Sequence, residues 1–108
     1  MTIRCEGIIL ADNVRRADSF MKRLIGLMGK KHLEDGEGLL LNCSAVHCFF
    51  MKIPIDTVYI SGDMTVLGAE TLRPWRIGKW LRGTRYVLEL KAGASSPVVP
   101  GGRISLEE

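Results

Sequence analysis

The sequence contains no apolar run approaching the length of a membrane span, no Cys-x-x-Cys pair, no internal repeat and no low-complexity tract. The first absence argues against a spanning helix, and no membrane partner is expected on that ground. A secretory leader is not expected either, because Arg4 and Glu6 interrupt the first ten residues and Ile8-Ile9-Leu10-Ala11 is too short an apolar core. Histidine is scarce, with only His32 and His47, and the three cysteines Cys5, Cys43 and Cys48 are scattered. Neither residue type falls at a metal-ligand spacing, so no metal and no cofactor is expected. Cys43 and Cys48, five apart in one strand, would face opposite ways and could not pair. Three reduced thiols and a cytoplasmic location follow from the odd count.

What is present is ordinary for a globular chain. The 108 residues are 46% hydrophobic and 25% charged, with a net charge of +3. One domain, residues 1–108, is expected, with a core that needs no metal or disulfide staple.

The densest apolar stretch runs from Val46 to Ile60 with Pro54 at its middle. It predicts two strands, Val46 to Met51 and Asp56 to Ile60, covered on both faces. Two polar groups, His47 and Asp56, interrupt it. A carboxylate in an apolar row must reach the strand's mouth or find a partner.

Around this centre, Ile3 to Leu10 reads as a strand broken or bulged at Gly7. Asp12 and Asn13 offer an N-cap, and Val14, Ala17, Met21 and Leu24 recur at helical spacing, predicting an amphipathic helix to about Ile25. Leu39 to Leu41, Met64 to Leu67, Tyr86 to Leu90 and Arg103 to Leu106 read as short strands, with a hairpin turn at Ser61-Gly62-Asp63. The expected fold is therefore β-dominated α+β: one short amphipathic helix and about six short strands in a curled, partly closed barrel-like sheet.

These pieces together resemble the prokaryotic family known as domain of unknown function 192. The matching residues are Arg23, Gly26-Leu27-Met28, Gly38-Leu39-Leu40 and Val46 through Met51. They continue with Pro54-Ile55-Asp56, Tyr59-Ile60, Leu72-Arg73-Pro74-Trp75-Arg76, Val87 through Leu90 and Ala92-Gly93. Family members often carry Thr or Ser at the place of Cys48, which argues against a shared thiol nucleophile. Their closing turn usually reads Gly-Asp where this chain has Gly101-Gly102-Arg103. The resemblance implies a compact β-rich fold with a short helix, and it implies no reaction.

Two classes of function fit the residues. His47 and Asp56 could converge as an acid–base pair acting on a small anionic substrate, with Arg73 or Arg76 holding the anion. The plainer account makes His47 a core residue with satisfied ring nitrogens, and no nucleophile stands beside it. The other class is a non-catalytic binding module. Arg73, Arg76, Lys79, Arg82 and Arg85 surround Trp75, Trp80 and Tyr86, and no acid occurs from Thr71 to Leu88. Interleaved cations and aromatics suit an anionic ligand or partner protein, and among anions a nucleic acid. The plainer account of the tryptophans is a lid over the sheet, with the indole N–H groups at its rim. The binding set expected is Arg73, Trp75, Arg76, Lys79, Trp80 and Arg82, beside a polar mouth at His47 and Asp56.

Overall fold

A computed structural model describes residues 1–17, 33–44 and 53–108. Within them lie eight strands: β1 (Thr2–Cys5), β2 (Ile8–Ala11), β3 (Asn13–Ala17), β4 (Glu37–Leu41), β5 (Ile55–Ser61), β6 (Val66–Leu72), β7 (Thr84–Lys91) and β8 (Ile104–Glu107). They form two sheets, one three-stranded in the order β2-β1-β8 and one five-stranded in the order β3-β4-β7-β5-β6.

Strand alternation explains how the sheets stack. On β5, Val58 and Ile60 point to one side, where they join Leu40, Leu88 and Leu90 against Ile3, Cys5, Leu10 and Ile104 of the smaller sheet. Ile55 and Tyr59 point to the other side, into a second cluster with Leu39, Leu41, Leu72 and Val87. Both faces of the central strands are thus buried, as the continuous apolar run of β5 demands. Each fully buried Leu, Ile or Val contributes roughly 1.5–3 kcal/mol.

Several expectations are corrected. The chain is all-β among the described residues, and the helix predicted from Val14 is not there at its start. Asn13–Ala17 instead pairs in parallel with β4, from Asn13 opposite Glu37 to Ala17 opposite Leu41. Asp12 and Asn13 do not cap a helix, since both backbone N–H groups bond the Gly36 carbonyl, at 3.1 and 2.8 Å. Apolar spacing cannot register that the backbone edge of β4 offers ladder bonds from outside the segment. The rest of the predicted helix, from Asp18, lies outside the described residues, as does the strand predicted over Val46 to Met51.

The barrel expectation also fails. β3 and β6 are the two edges of the larger sheet and do not meet, so neither sheet closes on itself among the described residues. Corner bonds join the sheets, such as Val66 N–H to Gly102 O at 2.8 Å, without forming a continuous ladder. The first predicted strand proves to be two. Glu6 and Gly7 both have positive φ (49° and 82°), the combination a two-residue type I′ hairpin needs, and they fold β2 back on β1.

Cys5 is a free, buried thiol. Burial pushes the Cys5 thiol up, against a weaker opposing bond with the Val99 backbone. Thiol titration of the unfolded chain without reductant is expected to count three groups, with Cys5 reacting slowly in the native state. A count of one would show that two are paired.

Candidate functional site

Asp56 lies at the start of β5 on the face it shares with Val58 and Ile60, and is only 2% exposed. Its carboxylate is held by four donors. Oδ1 accepts from Thr71 Oγ1 at 2.6 Å, a cross-strand neighbour on β6. Oδ2 accepts from the backbone N–H groups of Gly93 and Ser95 at 2.9 and 3.0 Å, and from Ser95 Oγ at 2.6 Å. Burial is the largest single influence and would raise the pKa. The four hydrogen bonds together outweigh it, so the carboxyl ionises below its ordinary range. An anion stabilised in this way is a weak base, and its visible work is to pin the turn after β7 to β5. The pairing expected with His47 falls outside the described residues, because His47 does.

The opposite face of the larger sheet carries a second polar group of residues. Thr57 on β5 stands between Glu89 of β7 and Glu70 of β6 in one cross-strand row. Tyr59 donates its phenol proton to Glu70 Oε2 at 2.6 Å. Thr57 Oγ1 lies 3.3 Å from the Tyr59 hydroxyl and 3.4 Å from the Glu70 carbonyl, and its one proton serves one of them at a time. Burial, with the Glu70 bond, raises the Tyr59 pKa well above that of a free phenol, so this donor stays protonated. Glu89 is 5% exposed, and among the described residues no group hydrogen-bonds its carboxyl. Burial alone pushes its pKa up to about 7.

Glu70 also ties this buried row to the surface, for its Oε2 accepts the Lys79 backbone N–H at 2.6 Å. Lys79 belongs to the connection between β6 and β7. That loop is anchored twice more. Leu81 lies over Gly68 so closely that a Cβ there would sit 2.8 Å from Leu81 Cδ1. Thr84 returns its N–H and its hydroxyl to the Leu81 carbonyl, at 3.1 and 2.7 Å.

Between these anchors the loop turns outward. Trp75 is 65% exposed, Ile77 71% and Trp80 67%. The expected lid role for the two tryptophans is therefore not what the structure has. Arg73, Arg76, Lys79, Arg82 and Arg85 are exposed among them, and Arg85 sits 6.0 Å from the centroid of the Tyr86 ring. The structure thus brings Arg73, Trp75, Arg76, Lys79, Trp80 and Arg82 onto one anchored loop. Asp56 is not part of that loop.

Sequence reading missed Ile77, Glu70, Tyr59 and Glu89. For Glu89 a signal existed, since it is a carboxylate within the apolar run Tyr86 to Leu90. No sequence signal tells that Ile77 is exposed. Among the described residues no cluster of His, Cys, Asp and Glu suits a metal ion, and no helix is long and apolar enough to cross a membrane.

Fold and site together define a two-sheet β protein that displays a cationic, apolar loop. Residues 2–106 match the profile of DUF192, described as Uncharacterized ACR, and the chain belongs to that family. It is 37% identical to the UPF0127 protein PH1112 of Pyrococcus horikoshii, over 81% of this chain and 79% of the relative. Two crystal structures share the fold. One is a protein of unknown function from Novosphingobium aromaticivorans, with TM-score 0.81 and 19% identity, over 97% of this chain and 84% of that one. The other is a candidate transcription regulator from Sinorhizobium meliloti, with TM-score 0.78 and 24% identity, over 96% and 91%.

Proposed function

We propose that the chain is a non-catalytic binding module that holds an anionic partner on its β6–β7 loop. The observation that carries this reading is the outward display of Trp75, Ile77 and Trp80 among exposed cations, with no acid from Thr71 to Leu88. Large apolar side chains clustered on a surface mark interaction sites, whereas scattered ones need no explanation. The anchors at Glu70, Gly68 and Leu81 keep the loop from folding its tryptophans inward, so the surface is built before a partner arrives.

The enzyme reading finds less support. Asp56, its proposed acid–base group, is engaged by four donors in fixing a turn. The name of the Sinorhizobium neighbour brings nucleic acid among the anionic partners to be tested, although that likeness carries the fold alone. Residues 1–108 work as one domain in this reading, with β1 and β8 joined in one sheet, and the free thiol of Cys5 suits a cytoplasmic location.

Heparin serves as a general polyanion probe. Replacing Arg73, Arg76 and Lys79 together by Ala is expected to move elution to clearly lower salt. Lys79→Ala leaves its backbone N–H on Glu70 in place. A control that removes the same charge elsewhere, Arg4, Lys91 and Arg103 to Ala, is expected to shift much less. Equal shifts would mean that net charge alone governs retention, and would defeat the proposal.

A further inference from the structure

We infer that the anionic partner of the β6–β7 loop is a lipid surface, met by insertion of Trp75, Ile77 and Trp80 between anionic headgroups. This rests on the preceding reading and names its partner. The expectation of no membrane contact came from span length, and a surface loop needs no span.

Three observations separate lipid from other polyanions. The first is Ile77, at 71% the most exposed of the large apolar side chains among the described residues. An aliphatic side chain has no face on which a base can stack, so a nucleic-acid surface would use the tryptophans and leave Ile77 in water. Hydrocarbon takes all three.

The second is the way charge and apolar groups alternate. Arg76 stands between Trp75 and Ile77, and Lys79 adjoins Trp80. Protein interfaces favour Arg and aromatic side chains but are depleted of Lys, and this loop sets Lys79 directly beside Trp80. At a bilayer the same alternation costs little, because Arg and Lys stems lie along the apolar region while their heads reach the phosphates. Tryptophan is suited to that depth, its ring apolar and its N–H polar.

The third is the absence of acid over the whole stretch from Thr71 to Leu88. A cation held near an anionic leaflet strengthens adsorption roughly fivefold, so the loop's cations together supply the attraction that three inserted side chains alone would not.

The protein carries a built-in reporter. Trp75 and Trp80 are its only two tryptophans, and both lie on the loop. Intrinsic fluorescence of the full chain can be followed with vesicles of phosphatidylglycerol and phosphatidylcholine, with pure phosphatidylcholine vesicles and with a single-stranded thymidine oligonucleotide. The expected result is a blue shift with the anionic vesicles, quenching by lipids brominated along the acyl chain, and little response to the neutral ones. Ile77→Asn retains both reporters and the net charge, and should weaken vesicle partitioning about tenfold.

Absence of vesicle binding would overturn the lipid inference, as would binding without acyl-chain quenching. Oligonucleotide binding unaffected by Ile77→Asn, with no vesicle binding, would make nucleic acid the partner and leave the anionic-partner reading intact. Loss of heparin discrimination between loop and control variants would remove that reading itself.

Discussion

Asp56→Ala is expected to cost on the order of 3 kcal/mol in unfolding free energy at pH 7, a large share of what a domain this size has. The substitution removes four hydrogen bonds, from Thr71, Gly93 and Ser95, to a carboxylate whose residue is only 2% exposed. Asp56→Asn should cost about half as much. Its amide oxygen can still receive Ser95 and Gly93, and its amide nitrogen can face Thr71 Oγ1 as an acceptor. The sign of the pH effect follows from the lowered pKa. The Asp56 contribution is fully present above the unfolded value near 3.8 and is lost as pH falls through the folded pKa. Urea denaturation at several pH values, comparing wild type with both variants, measures each quantity. A cost below about 0.5 kcal/mol for Asp56→Ala would mean that the turn is held by something else. Loss of binding in an Asp56 variant would first have to be separated from loss of fold.

Glu89→Gln should act in the opposite direction, stabilising the protein at pH 8 by up to about 3 kcal/mol. That figure follows from a pKa raised from 4.5 to about 7 by burial. Below pH 4.5 the acid is protonated in both folded and unfolded chains and costs nothing extra. Between 4.5 and about 7 the unfolded chain has released its proton while the folded chain keeps it, so stability falls as pH rises. Above 7 the loss is complete and the curve is flat. Gln has nearly the shape of the protonated acid, so the variant should match wild type near pH 4 and lack this slope. Parallel curves for variant and wild type from pH 4 to 8 would show that Glu89 titrates alike in the folded and unfolded chains, so that burial does not raise its pKa.

Much of the strand content was legible because it depends on local composition. The runs at Leu39 to Leu41, Asp56 to Ile60 and Tyr86 to Leu90 are apolar and β-prone, and each lies within an observed strand. Parity also placed Asp56 on the face of Val58 and Ile60. Its partners were beyond reach, since Gly93 and Ser95 are 37 and 39 residues away. Ile55-Asp56 and Ala92-Gly93 both belonged to the family resemblance, and the structure gives a physical reason for their company, the bond from Gly93 to Asp56. Val14 and Ala17 misled because two apolar residues three apart fit a helix as well as a strand whose pairing comes from β4. On the β6–β7 loop, charge could be counted from the sequence. Exposure could not, because it depends on Glu70 and Gly68 holding the loop base from the neighbouring strand.

The pairing of β1 with β8 sets a sequence of events in time. Thr2 lies opposite Glu107, and Arg4 bonds Glu107 at 2.7 Å across 103 residues. A chain made from its N-terminus brings out β1 and β2 before β4 to β7, but their third strand, β8, only after them. Until then they are a two-stranded hairpin, marginal in water on its own. Ile3 and Cys5, which the finished protein buries completely, have to wait without β8 beside them. Closing so long a loop adds only logarithmically to the entropic cost, but it makes folding slow relative to a chain of local contacts. The smaller sheet is a clasp that fastens only once β8 has followed β4 to β7, and the larger sheet that those earlier strands build is the body it fastens.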